Sequence, residues 1–163
     1  MEQKFSDKPI LLVDISRQKI SLGLHNYAIK TAQNGAGQEE GSFQTPLGLH
    51  RIVEKIGDGA DPYTIFVSRE PIQERGSEGD PEPRVMTRIL RLEGLEEGYN
   101  RGYNKEGKCV DSYQRYIYIH GAVREGGSLG CICLKPFDMI DLFDRVSEGM
   151  IVYIFLDNDR HFL

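Results

Sequence analysis

The chain has no tryptophan and no run of basic residues, and both absences narrow what it binds. Lys and Arg number 20 against 25 Asp and Glu, a formal net charge of −5. Nucleic-acid binding depends on clustered positive charge that neutralises phosphates, so we expect no nucleic-acid partner. The missing Trp removes one common carbohydrate-stacking side chain, although 8 Tyr and 7 Phe remain available.

Long apolar runs are also missing. The early apolar run at residues 10–13 is too short for the hydrophobic core of a signal peptide or for a membrane span. Cysteine is scarce, and the odd number (Cys109, Cys131 and Cys133) leaves at least one thiol unpaired, which favours a reducing compartment. We therefore expect a cytoplasmic protein without a membrane segment if the chain is full length. A periplasmic or cell-wall protein whose signal peptide has been removed would look the same.

Size and composition are those of one soluble globular domain. The chain has 163 residues, of which 39% are hydrophobic and 28% charged. Residues 1–8 are polar and charged, and we predict a tail there followed by a single domain over residues 9–163.

Short segments rich in β-branched and aromatic residues predict a mainly β fold. An apolar face at Met139, Leu142, Phe143 and Val146 predicts one packed helix, which starts near Pro136. We therefore expect a mixed β-sandwich or barrel-like fold with one helix packed on it.

Between strands, the Gly- and Pro-rich segment of residues 57–84 is expected to form a solvated loop or a flap. The predicted strands are residues 10–15, 19–24, 27–32, 49–55, 64–67, 85–92, 116–119 and 150–156.

The strongest chemical signal lies between the seventh predicted strand and the helix. His120 ends the strand, and a glycine-rich loop leads from it to Cys131. A thiol is nucleophilic as its thiolate, and a neighbouring imidazole is a common activator at neutral pH. Backbone N–H groups around Gly130 and Cys131 are placed to hold an oxyanion. The pair therefore predicts a nucleophile and its base, although each residue taken alone is more typical of a buried structural role.

This segment resembles the signature of the L,D-transpeptidase catalytic domain of the YkuD type. Further similarity at residues 11–14, 41–48 and 87–90 extends the resemblance over nearly the whole chain. It implies the L,D-transpeptidase fold, Cys131 as the acylated nucleophile, His120 as its base and Gly121 as the residue whose backbone orients the imidazole. The residues that carry the signature are His120, Gly121, Ser128, Gly130, Cys131 and Ile132.

The resemblance implies acyl transfer on peptidoglycan stem peptides or muropeptide tetrapeptides, with cleavage of the bond between diaminopimelate and D-Ala. Transfer to an amine makes the protein an L,D-transpeptidase, and transfer to water makes it an L,D-carboxypeptidase, which a cytoplasmic location favours more. Neither a cofactor nor a metal is implied. Ser128 and Gly130 are expected to shape the nucleophile loop and the oxyanion site. The residues expected to contact substrate are Arg88, Arg91, Tyr118 and Cys133, the arginines because their guanidinium forks fit carboxylates.

The chain also departs from the family pattern. Leu129 replaces a usual His, Cys133 replaces a usual Arg or Asn, and the loop after His120 is short. These departures leave open a domain that binds peptidoglycan with impaired catalysis. A zinc site formed by Cys109, Cys131, Cys133 and His120 is a second alternative. For Arg88 and Arg91, the alternative to substrate binding is surface ion pairing.

Overall fold

The computed structural model describes residues 8–157, which form ten strands and one helix. The predicted tail of residues 1–8, apart from Lys8, and the last residues of the predicted domain lie outside the described range. The elements are β1 Leu11–Asp14, β2 Lys19–Leu22, β3 His25–Ala28, β4 Gly48–Ile56, β5 Thr64–Val67, β6 Glu70–Arg75, β7 Val85–Gly94, β8 Tyr118–Gly121, β9 Ile132–Leu134, α1 Pro136–Arg145 and β10 Ile151–Phe155.

All ten strands belong to one open mixed sheet, which confirms the predicted mainly β class with one packed helix. Its main path runs β3-β2-β1-β10-β4-β7-β5-β6, and β8 joins at β7 and carries β9 on its other side. The pairs β1/β10 and β8/β9 are parallel, and the other pairs are antiparallel. The candidate site lies on the β8/β9 branch.

Helix α1 covers one face of the sheet and defines its larger core. Met139, Leu142 and Phe143 are buried beneath it, and Pro136 occupies the first turn, where a missing N–H costs nothing. Side chains alternate across a strand, so Ile119 of β8 and Ile132 of β9 face this core while their neighbours face the opposite side. No helix within residues 8–157 is long and apolar enough to cross a membrane.

Strand β7 pairs with β8 beside the site and is buried on both faces. It carries a bulge between Met86 and Ile89, where Thr87 has a φ of 75°. Arg88 and Arg91 are buried here, so the alternative that they form surface ion pairs is wrong. The neighbouring strands and the helix cover both arginine side chains, which the alternating pattern of the sequence did not indicate.

Two strands fall outside the predicted set. β6 pairs with β5 through a turn at Ser68 and Arg69, whose φ values of 48° and 66° are typical of a type I′ hairpin. Every residue of β6 is exposed, so it lacks a buried face. β9 has only three residues and pairs in parallel with β8. The predicted loop of residues 57–84 therefore contains a hairpin.

Candidate active site

His120 is buried at the end of β8 with both ring nitrogens engaged. Its Nδ1 lies 2.8 Å from the carbonyl oxygen of Gly121, and since a carbonyl only accepts, Nδ1 carries the proton. The unprotonated Nε2 lies 3.5 Å from Sγ of Cys133. The parallel register of β8 and β9 explains this contact, because it places His120 directly opposite Cys133.

Cys131 precedes β9 and makes its contacts elsewhere. Its Sγ accepts a hydrogen bond from the backbone N–H of Tyr118 at 3.4 Å and donates one to the carbonyl of Tyr116 at 3.4 Å. The nucleophile expected from the motif is therefore bound to the backbone of the strand that carries the histidine. The imidazole itself contacts the thiol two positions later.

Both thiols and the imidazole open into one cleft of about 200 Å³. Apolar residues, among them Val85 and Leu129, line it together with His120, Cys131 and Cys133. A second cavity, of about 440 Å³, lies beside it. Its lining includes charged side chains of both signs, among them Lys30, Arg124 and Glu125. The two cavities share three lining residues: Ala122, Arg124 and Cys133.

Burial controls the protonation of all three groups. It lowers the pKa of His120, so the imidazole is neutral at neutral pH and able to accept a proton. It raises the pKa of Cys131 to about 11, against the opposing N–H of Tyr118 and the charge of Arg115. The pKa of Cys133 is also raised by burial. Both cysteines are therefore thiols at neutral pH, and the neutral imidazole of His120 is a nearby group able to accept a proton.

Hydrogen bonds hold the loop before Cys131 in a fixed shape. Ser128 Oγ donates to the carbonyl of Cys131 and accepts the backbone N–H of Gly130 at 3.1 Å. Gly130 has a φ of 139°, a conformation that favours glycine. Thr45, wholly buried, donates from Oγ1 to the Gly130 carbonyl at 2.9 Å and accepts the N–H of Ala32 at 2.9 Å. In this arrangement the Gly130 N–H, an expected oxyanion donor, is occupied by Ser128.

Gly121 is required by the close packing of β8 against the bulge of β7. A Cβ at this position would lie 2.2 Å from Oγ1 of Thr87 and 2.9 Å from the carbonyl of Met86. Thr87 is itself held in place, since Oγ1 donates to the carbonyl of Pro62 at 2.7 Å. The absence of a side chain therefore keeps the Gly121 carbonyl where it binds His120.

Arg115 joins the site to the loop that precedes β4, and sequence reasoning missed it. Its guanidinium donates to the carbonyls of Gly37, Gln38 and Gln44 at distances of 2.5 to 3.3 Å. Its positive charge also acts on Cys131 by lowering the pKa of that thiol. The sequence does not indicate this role for Arg115, because its partners are backbone carbonyls more than 70 positions away in the chain.

Arg88 does not join the imidazole and the thiols. Its NH1 donates to the carbonyls of Ala60 at 2.7 Å and Thr87 at 2.6 Å. Its guanidinium carbon lies 5.6 Å from the ring centroid of Phe143 in α1. It therefore packs on the helix side of the sheet, opposite His120.

Arg91 lies on the same face as the site and is surrounded by tyrosines. Its guanidinium carbon is 3.7 Å from the ring centroid of Tyr113 and 5.4 Å from that of Tyr116. Arg69 donates to the hydroxyl of Tyr118 at 3.2 Å in the same cluster. Two predicted substrate contacts, Arg91 and Tyr118, are thus brought beside the backbone that binds Cys131.

The predicted alternative of a zinc site has no cluster to form it. Within residues 8–157, no group of three or more His, Cys, Asp and Glu side chains is placed to hold a metal ion. Cys109 lies with its Sγ 3.6 Å from Oε1 of Gln114. All three cysteines are free thiols.

Family comparison gives the site its context. The family model YkuD, described as the L,D-transpeptidase catalytic domain, matches residues 8–154. The chain therefore belongs to the YkuD family of L,D-transpeptidase catalytic domains, as its motif predicted. No curated protein sequence matches it.

Solved structures agree on the fold. An L,D-transpeptidase from Xylanimonas cellulosilytica is 11% identical, with a TM-score of 0.51 over 93% of this chain and 62% of that one. L,D-transpeptidase 3 from Mycobacterium tuberculosis is 13% identical, with a TM-score of 0.50 over 90% of this chain and 60% of that one. Bd1075 from Bdellovibrio bacteriovorus is 14% identical, with a TM-score of 0.53 over 90% of this chain and 47% of that one. The chain thus spans about half to three fifths of the length of the solved proteins that it matches.

Proposed function

We propose that this protein transfers acyl groups from peptidoglycan stem peptides through a cysteine thiol, cleaving the bond between diaminopimelate and D-Ala. Family membership supports the reaction type. The observation that carries the proposal is one open cleft lined by both His120 and Cys131, in which Nδ1 of the imidazole is fixed by the Gly121 carbonyl and Nε2 keeps its lone pair. A neutral imidazole held in this way beside a thiol supports base-assisted acyl transfer.

The motif assigns the nucleophile to Cys131 and the base to His120. The thiol gives its proton to Nε2, and the sulfur attacks the carbonyl carbon at the L-centre of diaminopimelate. The imidazolium then protonates the leaving nitrogen, D-Ala departs and a thioester remains. For this step Cys131 gives up its contact with the Tyr116 carbonyl and turns its sulfur toward the imidazole. The N–H groups of Gly130 and Cys131 hold the oxyanion once Ser128 releases the first of them.

The fate of the thioester separates the two activities in this proposal. An amine from a second stem peptide gives a cross-link, which is L,D-transpeptidation. Water gives a shortened peptide, which is L,D-carboxypeptidation. In a cytoplasmic setting, where released muropeptides replace the polymeric wall, the second outcome is favoured; in the periplasm or cell wall the first is favoured.

Substrate carboxylates are proposed to bind beside Tyr118. Arg91 is buried there with its guanidinium stacked on tyrosine rings, and its Nε has no hydrogen-bond partner among the described residues. A buried cation of this kind gains most from a carboxylate ligand. Arg88 faces the helix instead, so it contributes to stability in this proposal.

A peptidoglycan-binding module without turnover is the second candidate. Leu129 favours it, since it stands where the family has a histidine and is 60% exposed at the cleft. An apolar side chain there supplies a contact surface and no proton transfer. Binding of a stem peptide without release of D-Ala would identify such a module.

The test is release of D-alanine from a tetrapeptide that ends in diaminopimelate and D-Ala, measured with and without an amine acceptor. We expect release by the wild type and a loss of about 100-fold or more in His120→Ala, because a general base contributes about 10² to 10⁴ in rate. Binding of the same peptide, measured by calorimetry, separates lost catalysis from lost binding. Binding with no release by the wild type supports the module, and equal release by His120→Ala contradicts the proposed chemistry.

A further inference from the structure

An arginine without an ion pair lies where the two cavities meet. Arg124, in the loop between His120 and Cys131, lines both the cleft of about 200 Å³ and the cavity of about 440 Å³. Its guanidinium makes no ion pair and no hydrogen bond with residues 8–157. We propose that Arg124 is a substrate-binding residue that holds a carboxylate of the stem peptide next to the bond that is cleaved. The identity of the peptide rests on the proposed function.

The loop that carries Arg124 is fixed at both ends by backbone hydrogen bonds. The N–H of Ala122 donates to the carbonyl of Leu134 at 2.9 Å, and the N–H of Ser128 donates to the carbonyl of Thr31 at 2.9 Å. Between these ends Arg124 is half-buried. A charge in such a position is screened less by solvent than one on the open surface, so it attracts a bound anion more strongly.

The other arginine of the cleft is already neutralised. The guanidinium of Arg84 lies 3.1 Å from the carboxylate of Asp80 and 3.2 Å from that of Glu74. No described carboxylate forms an ion pair with Arg124, although three line the larger cavity with it: Glu78, Glu125 and Asp138. Among the described residues that line the cleft, Arg124 is therefore the cation whose charge remains available to a ligand.

The surroundings of Arg124 suit a carboxylate ligand. Apolar side chains, among them Val85 and Leu129, line much of the same cleft and supply no competing hydrogen bonds. The planar fork of a guanidinium donates two parallel hydrogen bonds to one carboxylate. The charge of Arg124 already acts on a group in this cleft, since it opposes the effect of burial on the pKa of Cys133.

The stem peptide carries several carboxylates, so this assignment is compatible with that of Arg91, and two of them are candidates for Arg124. The carboxylate of the terminal D-Ala is about 4 Å beyond the carbonyl carbon that Cys131 attacks, the spacing of consecutive residues. The other candidate ends the diaminopimelate side chain, next to an amine. The larger cavity fits that end, because its lining carries charges of both signs. Both candidates share one chemistry, a carboxylate bound by a guanidinium.

Calorimetry with the tetrapeptide tests the assignment, with all proteins carrying Cys131→Ala so that no turnover occurs. We expect Arg124→Gln to bind the peptide at least about tenfold more weakly, because a charge-assisted pair is lost. Arg124→Lys keeps the charge and should recover part of the affinity. Arg101→Gln is the matched control, since it makes the same substitution at an exposed arginine that lines neither cavity. Its affinity should equal that of the protein without a substituted arginine.

Two altered peptides identify the carboxylate. A C-terminal amide removes the charge of the D-Ala carboxylate, and lysine in place of diaminopimelate removes the carboxylate at the end of the side chain. The altered peptide that binds equally well with and without Arg124→Gln lacks the group that Arg124 holds. In D-alanine release by proteins that retain Cys131, Arg124→Gln should raise KM about tenfold and leave kcat nearly unchanged, because it removes a contact made equally in the ground state and the transition state.

The outcomes separate this inference from the proposed function. Full affinity of Arg124→Gln for the unaltered tetrapeptide, or an equal loss in Arg101→Gln, overturns the role of Arg124. In either case D-alanine release by the wild type leaves the proposed function standing. Weakened binding in Arg124→Gln with no D-alanine release by the wild type overturns the proposed reaction and supports the carboxylate site. No binding of the tetrapeptide with or without Arg124→Gln overturns the inference as well.

Discussion

The hydroxyl of Thr45 donates a hydrogen bond to the carbonyl of Gly130 at 2.9 Å, and the two residues are 85 positions apart in the chain. The same oxygen accepts the N–H of Ala32, so three segments meet at one buried atom. Thr45 belongs to residues 41–48, one of the segments that carry the family resemblance. The structure shows that it anchors the loop that delivers Cys131.

Removal of this anchor is expected to destabilise the protein. Thr45→Val keeps the shape of the side chain and leaves the Ala32 N–H unpaired in the interior, which costs about 1 to 3 kcal/mol. Urea unfolding followed by circular dichroism measures the loss. Thr45→Ser, which keeps the hydroxyl, is the matched control and should retain most of the stability. Equal stability of Thr45→Val and wild type would show that the bonds to Thr45 are dispensable.

Gly121→Ala tests the contact between β8 and the bulge of β7. The added methyl group would lie 2.2 Å from Oγ1 of Thr87, so one strand must shift and the carbonyl that holds His120 shifts with it. We expect a loss of about 1 to 3 kcal/mol in the free energy of unfolding, the usual cost of overpacking. Gly126→Ala is the control, because a Cβ there lies no closer than 3.4 Å to its nearest neighbour, the flexible side chain of Arg124.

His50 is expected to make the fold sensitive to acid. It is wholly buried, with Nε2 2.8 Å from Ser112 Oγ and Nδ1 3.0 Å from the Gly48 carbonyl, and burial lowers its pKa to about 4. The unfolded chain takes up this proton near the ordinary histidine pKa of about 6.5 and the folded chain does not. The contribution of His50 to stability is therefore complete above about pH 6.5 and is lost as the pH falls toward 4, by about 3 kcal/mol in all.

Unfolding curves between pH 7.5 and 4 would measure this effect. Since carboxylates and His120 also titrate, the informative quantity is the difference between the wild type and His50→Gln, which should narrow as the pH falls. His25→Gln, a substitution of the same kind at an exposed position, is the matched control. A constant difference between wild type and His50→Gln across this range would show that His50 titrates alike in both states.

Arg115→Met should affect both the loop and the thiol. The substitution keeps an apolar stem and removes donors to three backbone carbonyls, those of Gly37, Gln38 and Gln44. It also removes a positive charge that lowers the pKa of Cys131. We expect lower stability and slower alkylation of Cys131 than in the wild type at the same pH. A faster reaction at Cys131 would mean that Arg115 shields this thiol more than it activates it.

The strands that sequence predicted correctly are those with buried β-branched residues. β7 and β10 were found because their apolar side chains face the core, and the helix because its apolar face repeats at helical spacing. β6 was missed because each of its six residues is exposed, so only backbone pairing with β5 identifies it. Hydrogen bonding of this kind leaves no pattern in residue type.

The site shows a sharper limit. The motif brought His120, Cys131 and Cys133 to notice, and all three line one cleft. Which sulfur the imidazole contacts depends on the register of β8 against β9, and the sequence of a three-residue strand does not specify a register. Burial of Arg88 and Arg91 was missed for a related reason, since it depends on which elements cover each face of β7.

The most direct test of the mechanism is D-alanine release from the tetrapeptide by the wild type, by each single cysteine variant and by the double variant Cys131→Ser, Cys133→Ser. Transfer through the Cys131 thiol with His120 as its base predicts release by the wild type and no detectable release by Cys131→Ser or by the double variant. Release by the double variant at the wild-type rate would contradict a cysteine nucleophile in this site.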